Sequence, residues 1–160
     1  MNYLVYADGA CSGNGRKDAV AEGSFAVYAI GEIKNVDQAL HDHLINEKPY
    51  HHEARFSVFT NGRGTNNIAE ARTLQAALIW LVKRGLFQPE NHIHLCMDSQ
   101  LVLSQFKGLY KVRNPQLRKV YDEIYDVLRK ESLLKGFDVD GHIHLNWIPG
   151  DVMKASVIAH

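Results

Sequence analysis

Two kinds of hydrophobic spacing alternate along this chain, and together they predict a sheet flanked by helices. Short apolar runs bounded by turn residues are typical of strands and lie at 3–7, 23–30, 55–60, 92–97 and 142–148. Apolar positions at helical spacing lie at 65–84, 99–107 and 114–129, with a short last helix from about 152. The predicted order is βββαβααβα. This pattern predicts an α/β fold with one five-stranded mixed sheet.

Residues 1–160 are predicted to form a single domain, because no repeat or low-complexity tract interrupts the pattern. Gly13, Asn14 and Gly15 predict a hairpin turn between the first two strands. Residues 31–54 are polar and long for a hairpin connection, so we expect them to form a separate excursion.

Composition is that of an ordinary globular protein, with 46% hydrophobic and 22% charged residues. Lys+Arg and Asp+Glu both number 18, so net charge does not favour a nucleic-acid partner by itself. No apolar stretch approaches the roughly 20 residues of a membrane helix, and residues 1–7 are too short for a signal peptide. Cys11 and Cys96 are too few for a disulfide framework and are expected to be small apolar residues in the core. We expect a reduced, cytoplasmic protein.

Three acidic residues lie where the predicted elements begin or end. Asp8 follows the first strand, Asp98 follows the fourth, and Glu70 lies in the first turns of the helix that begins at Thr65. Strand ends meet at one edge of an α/β sheet, and a helix packed there can direct a third carboxylate to the same point. Three such groups repel unless a cation neutralises them, and oxygen ligands favour Mg²⁺ or Mn²⁺. Taken singly, each acid has an ordinary interpretation as a turn former, a first-turn acid or a helix cap.

Four sequence blocks together resemble the type-1 ribonuclease H family. They are "DGACSGNG" at 8–15, "TNNIAE" at 65–70, "MDSQLV" at 97–102 and "GLYKVRNPQL" at 108–117. The resemblance covers nearly the whole chain except residues 31–54. It implies an RNase H-like fold and an endonuclease that cuts the RNA strand of an RNA–DNA hybrid with two Mg²⁺ ions, or Mn²⁺. By motif position Asp8 would contact both metals, Asp98 the metal on the nucleophile side and Glu70 the other metal.

The same resemblance implies a substrate-binding set. Amide side chains at its minor-groove positions are Asn14, Asn66, Asn67 and Gln100, and the backbone around Gly9 and Cys11 would approach the RNA sugars. The asparagines also suit capping and turn formation. Basic residues concentrate at Lys107, Lys111, Arg113, Arg118 and Lys119, where they would contact DNA phosphates or form a solvated helix face. The basic helix that many family members insert here is absent, so we expect weak, salt-sensitive binding of the hybrid. We also expect a monomer without an obligate protein partner.

The last helix departs from the family pattern. "KASVIAH" places Ser156 where the family has a fourth acid, and the nearest carboxylate is Asp151. Three interpretations stay open: a water bound by Ser156 completes the site, Asp151 substitutes, or catalysis is impaired. The alternative function is therefore a catalytically impaired hybrid- or nucleic-acid-binding module of the same fold. A DNA exonuclease or integrase is disfavoured by the asparagine set, and neither a P-loop nor GxGxxG occurs to support a kinase or dehydrogenase.

Histidines form two further groups without a standard zinc spacing. His41, His43, His51 and His52 lie in the excursion and are expected to be exposed. His92, His94, His142 and His144 alternate along two predicted strands, and we expect them to form an exposed face.

Overall fold

The computed structural model describes residues 1–12, 20–30, 49–58, 66–108 and 111–150. Its elements, in chain order, are β1 (Asn2–Ser12), β2 (Val20–Ile30), β3 (His51–Val58), α1 (Asn66–Lys83), β4 (His92–Met97), α2 (Gln100–Phe106), α3 (Pro115–Lys135), α4 (Val139–His142) and β5 (Ile143–Trp147).

The strands form one five-stranded mixed sheet in the order β3-β2-β1-β4-β5. β2 pairs antiparallel with β1 and with β3, whereas β4 pairs parallel with β1 and with β5. Parallel neighbours need a crossover connection. The chain from β1 to β4 includes α1, and the chain from β4 to β5 includes α2 to α4. The predicted sheet with flanking helices is confirmed.

Alternation along the central strands gives the sheet two apolar faces. On one face Ile93, Leu95 and Met97 of β4 belong to the main core, to which α1 and α3 contribute. The opposite face carries a second cluster of buried residues: Leu4, Tyr6, Ala26, Tyr28, Cys96 and Ile148. Cys96 is fully buried, as predicted, and burial raises the pKa of its thiol. The sheet is thus a central layer with apolar side chains on both faces.

Helix α1, which carries Glu70, is fixed to α3 by a charged contact. Arg72 Nη1 lies 2.7 Å from Glu123 Oε2, and the Gln75 side-chain amide donates to the same oxygen over 2.7 Å. These two donors, with the hydrogen bond from Gln75 contributing most, hold the pKa of Glu123 below its usual range. The contact ties the middle of α1 to the neighbouring helix.

Capping residues set the starts of α2 and α3 where the sequence predicts them. Ser99 Oγ accepts from the backbone N–H of Val102 over 3.2 Å at the start of α2. Asn114 Oδ1 accepts from the N–H groups of Gln116 and Leu117 over 2.9 and 3.2 Å at the start of α3. α3 ends at Gly136, which has a φ of 70°.

Several predicted bounds are wrong. β1 does not end before Asp8 but continues to Ser12, because residues 9–12 pair with β2 from Gly23 to Val20. β3 begins at His51, so residues 51–54 belong to the sheet and not to the excursion. α3 reaches Lys135, and the short helix α4 precedes β5, which the predicted order lacks. The hairpin turn at 13–15, residues 31–48 and the predicted helix from 152 lie outside the described residues.

Within the described ranges, no helix combines the length and apolar character needed to cross a membrane.

Candidate functional site

Three carboxylates from three elements meet at one point of the structure. One oxygen each from Asp8, Glu70 and Asp98 lies within 4.8 Å of the others. Glu70 is buried, and the two aspartates are half-buried. The convergence that the sequence predicted for these three acids is therefore present.

The parallel pairing of β1 and β4 places the two aspartates. The last residue pair in this ladder is Tyr6 with Cys96. Asp8 lies two residues after Tyr6, and Asp98 lies two residues after Cys96. Asp8 and Asp98 therefore emerge side by side where the ladder ends. Asp98 lies just after its strand, as predicted, whereas Asp8 is inside β1 and pairs with Ser24 of β2.

Gly9 brings the third acid close to the other two. A Cβ atom at Gly9 would lie 2.5 Å from the carbonyl carbon of Ala69 and 2.7 Å from the backbone nitrogen of Glu70. Such distances are too short for any side chain, so only glycine lets β1 contact the first turns of α1. The N–H of Gly9 also donates a hydrogen bond to the Glu70 carboxylate. Packing against α1 thus explains why a glycine follows Asp8. This reason is independent of the substrate-binding role that the sequence predicted for Gly9.

Glu70 is in an environment that disfavours its negative charge. Burial first, then repulsion from Asp98 and Asp8, raises the pKa of Glu70 to about 9. Its Oε2 atom is buried and has no hydrogen-bond partner among the described residues. A carboxylate in this position is stable only with a proton or a cation beside it.

This donor set fits a hard divalent cation. All three groups offer carboxylate oxygens, which suit Mg²⁺ or Mn²⁺, and the orphaned Oε2 of Glu70 supplies a ligand atom that the protein itself does not use. A cation would also relieve the repulsion among the three acids.

The end of β5 supports Asp98, a contact that sequence reasoning missed. The Trp147 indole N–H donates to the Asp98 carbonyl over 3.0 Å, and the N–H of Ile148 donates to the Met97 carbonyl over 2.9 Å. A Cβ at Gly150 would lie 3.3 Å from Asp98 Oδ2. The strand break at 149–150 is visible in the sequence, but its neighbour in space is not.

The described amide residues flank the acids along the chain. Asn66 is exposed and Asn67 half-buried at the start of α1, within about one turn of Glu70, and Gln100 is exposed two residues after Asp98. Asn14, Asp151 and Ser156 lie outside the described residues, and of Cys11 only the backbone, in β1, is described. Hybrid recognition by these groups stays a prediction.

The basic residues predicted to contact DNA are all exposed. They are Lys107, Lys111, Arg113, Arg118 and Lys119. The Arg118 guanidinium donates from Nε and Nη2 to the Val112 carbonyl over 3.2 and 2.9 Å. This contact ties the segment before α3 to the first turn of that helix.

Comparison with known proteins finds partial relatives in sequence. No family model matches the chain. The bifunctional protein Rv2228c of Mycobacterium tuberculosis is 36% identical over 88 residues, which are 55% of this chain and 21% of that protein. An uncharacterized protein of Mycobacterium bovis matches to the same extent. The chain thus matches about a fifth of the length of these curated relatives.

Solved structures match over nearly the whole chain. The N-terminal RNase H domain of Rv2228c has a TM-score of 0.66 and 24% identity, covering 99% of this chain and 95% of that one. RNase H1 of the archaeon Halobacterium salinarum has a TM-score of 0.69 and 23% identity, covering 99% and 94%. LC11-RNase H1, solved in complex with an RNA/DNA hybrid, has a TM-score of 0.63 and 22% identity, covering 93% and 86%. At these sequence identities, the likeness to the solved structures shows the fold alone.

Proposed function

This chain has the RNase H-like fold that its sequence motifs predict, and from that premise we propose that it is a metal-dependent endonuclease acting on the RNA strand of RNA–DNA hybrids. The observation that carries the proposal is the meeting of Asp8, Glu70 and Asp98 around a buried oxygen without a hydrogen-bond partner. A structural neighbour solved with an RNA/DNA hybrid supports the choice of substrate.

In this proposal Asp8, Glu70 and Asp98 hold divalent cations, with two Mg²⁺ ions expected and Mn²⁺ able to replace them. The ions supply Lewis-acid stabilisation of the scissile phosphate and a more acidic water as nucleophile. The protein's part is to fix the three carboxylates on rigid elements. Glu70 would hold a cation as its carboxylate, with its proton released to solvent, and the N–H of Gly9 donates a hydrogen bond that orients this carboxylate.

Selection of the RNA strand falls to the amide groups beside the acids. Asn66, Asn67 and Gln100 each offer a donor and an acceptor, which a ribose 2′-hydroxyl can engage from both sides. The exposed basic side chains around the start of α3 contact phosphates of the DNA strand and supply affinity without reading sequence.

A cleavage assay with each strand labelled separately tests the proposal. The substrates are hybrid, duplex RNA and duplex DNA, each incubated with Mg²⁺ and with Mn²⁺. We expect cleavage of the RNA strand of the hybrid alone, and its loss in Asp8→Asn, because that variant keeps the shape of the side chain but removes a metal-binding charge. Asp122→Asn, an exposed acid on α3, is the matched control and should cut normally. Cleavage of duplex DNA, or an Asp8→Asn variant as active as the parent, contradicts the proposal.

The second candidate, an impaired hybrid-binding module, is favoured by Ser156 in place of the family's fourth acid. A neutral hydroxyl lowers the negative charge of the site, so we expect cleavage that needs more metal or prefers Mn²⁺. Ser156→Asp should raise activity at low Mg²⁺, and Asp151→Asn should lower it if that acid substitutes. Hybrid binding without cleavage under all these conditions favours the module.

A further inference from the structure

Four histidines gather on the second apolar face of the sheet, at the strand ends opposite to the carboxylates. This imidazole cluster consists of His92 and His94 of β4, His144 of β5 and His142 at the end of α4. His94 pairs with Leu4 on one side and with His144 on the other, so the alternation of β4 sets these rings beside the buried Leu4 and Cys96. The predicted exposed face is therefore wrong: His94 is buried and the other three rings are half-buried.

Three rings of the imidazole cluster, those of His94, His144 and His92, are stacked in a row. The His94 and His144 ring centroids lie 4.8 Å apart at 19°, and those of His92 and His144 lie 5.2 Å apart at 21°. His92 Nδ1 lies only 2.9 Å from His144 Nε2. His142 adds a further ring 5.4 Å from His92.

Hydrogen bonding shows which nitrogens carry lone pairs. His94 Nε2 lies 3.1 Å from Asn2 Oδ1, an acceptor, so Nε2 carries the proton and Nδ1 has the lone pair. That Nδ1 is buried without a hydrogen-bond partner among the described residues. His92 and His144 share one proton between two nitrogens, so at least one lone pair is directed into the gap between them.

We propose that the imidazole cluster is a second metal site, which takes a transition-metal cation such as Cu²⁺ or Ni²⁺ through His92 Nδ1 and His144 Nε2. An ion about 2.1 Å from each of two nitrogens this close subtends an angle of about 90°, which suits square or octahedral coordination better than tetrahedral zinc. One of the two rings donates the hydrogen bond in the metal-free protein. When the ion binds, the proton of that ring moves to its other nitrogen, so no net proton is released. His94 fixes the His144 ring by stacking on it.

The imidazole cluster is independent of the carboxylate site. Six residues of extended chain, roughly 20 Å, separate His92 from Asp98. Nitrogen ligands select borderline cations and carboxylate oxygens select hard ones, so the two sites would take different ions. The inference does not rest on the proposed nuclease function.

Electron paramagnetic resonance of Cu²⁺ added to the full chain tests the site, because nitrogen and oxygen ligands give different hyperfine patterns. We expect a first bound equivalent with nitrogen couplings from two imidazoles. His144→Gln and His92→Gln should each weaken that binding at least tenfold. His52→Gln, an exposed histidine on β3, and Asp8→Asn should leave it unchanged. The half-buried His92 gives a second variant in case His144→Gln unfolds, and circular dichroism checks both.

Nitrogen coupling that persists in both cluster variants, or that disappears in His52→Gln, overturns the proposal. So does a first equivalent bound only by oxygen, or one lost in Asp8→Asn. These results concern copper ligation alone, so they leave the cleavage test of the carboxylate site unaffected.

Discussion

Glu70 is the residue at which stability and chemistry conflict. A buried carboxylate beside two others costs folding free energy unless a proton or cation neutralises it, and the structure surrounds this one with both burial and like charge. Proteins keep such residues where a ligand compensates for the cost. The stability of the metal-free protein should therefore report directly on this side chain.

Without divalent metal, stability should fall as pH rises through the neutral range. The pKa of Glu70 is about 9 in the folded state against an ordinary value of 4.5. Between these values the folded state holds a proton that the unfolded state has lost, so unfolding becomes easier by up to about 1.4 kcal/mol per pH unit. Urea unfolding in chelator at several pH values measures this slope, and Glu70→Gln should flatten it.

The matched control for that measurement is Glu123→Gln, because the pKa of Glu123 is lowered and not raised. Glu123→Gln should keep the falling slope. Equal slopes in the parent and Glu70→Gln would show that Glu70 is ionised in the folded protein.

Gly9→Ala should damage the protein through a single methyl group. Its Cβ would lie 2.5 to 2.7 Å from the backbone of Ala69 and Glu70, so α1 must move away from β1. We expect a loss of about 1–3 kcal/mol in the free energy of unfolding, together with lower metal affinity. Ala10→Ser, at the neighbouring exposed position, should be nearly neutral. Thermal unfolding and Mn²⁺ titration of both variants measure the difference, and a fully stable Gly9→Ala protein would contradict the close approach.

At the level of elements, β4 carries both groups of functional candidates. Its His92 and His94 belong to the imidazole cluster, whereas Asp98 just beyond its end belongs to the carboxylate site. The pairing of β4 with β1 and β5 fixes both. Changes at the histidines should therefore appear in the stability of the central sheet.

Acid should weaken the sheet through His94. The pKa of His94 is about 4 in the folded state against an ordinary value of 6.5, with burial as the first cause. Its stabilising contribution is complete above pH 6.5 and is lost as pH falls toward 4, because only the unfolded state takes up the proton there. His94→Gln should reduce this acid sensitivity in urea titrations, whereas the exposed His52→Gln should not. Unchanged acid sensitivity in His94→Gln would contradict a neutral, buried His94.

How well each element could be predicted depends on where its pairing partners lie. β4 is predicted to the residue because turn signals bound it on both sides. β1 is underestimated because Asp8 and Gly9 have low strand propensity, and only pairing with β2 extends the strand through them. The length of the excursion is overestimated because His51 and His52 are polar residues, which the sequence pattern does not assign to a strand. In the structure the His51 ring stacks on Trp80 of α1 at a centroid distance of 4.2 Å.

At the scale of the whole molecule, the distribution of charge matters more than its sum. The formal net charge is zero, yet exposed basic residues cluster from Lys107 to Lys119, and the acids of the site lie elsewhere. Binding to a hybrid should therefore depend on a few phosphate contacts and weaken strongly with salt.

Replacing Lys111 and Arg113 with glutamine should weaken hybrid binding and reduce its salt dependence. Two fewer phosphate contacts lower the slope of log affinity against log salt by roughly 1 to 2. Fluorescence anisotropy with a labelled hybrid at several salt concentrations measures both quantities. Lys83→Gln with Lys130→Gln removes equal charge from exposed positions elsewhere and should change little. Equal slopes for the two double variants would place the DNA strand on another surface.

The candidate site was predictable from sequence as far as its three acids and not beyond. Four motifs in order identify Asp8, Glu70 and Asp98, and the structure brings them together. The packing role of Gly9 and the support of Asp98 by Trp147 depend on distances between elements far apart in the chain. Local spacing carries no information on such contacts. The imidazole cluster was misjudged for the same reason, because alternation alone does not say which face is covered.

Calorimetric titration with Mn²⁺ tests the central claim most directly, that three distant carboxylates form one cation site. We predict that Asp8→Asn, Glu70→Gln and Asp98→Asn each reduce Mn²⁺ affinity at least tenfold, while Asp138→Asn, at the start of α4, binds as the parent does. Parent-like Mn²⁺ affinity in any one of the three site variants, with the fold intact, would contradict a shared site.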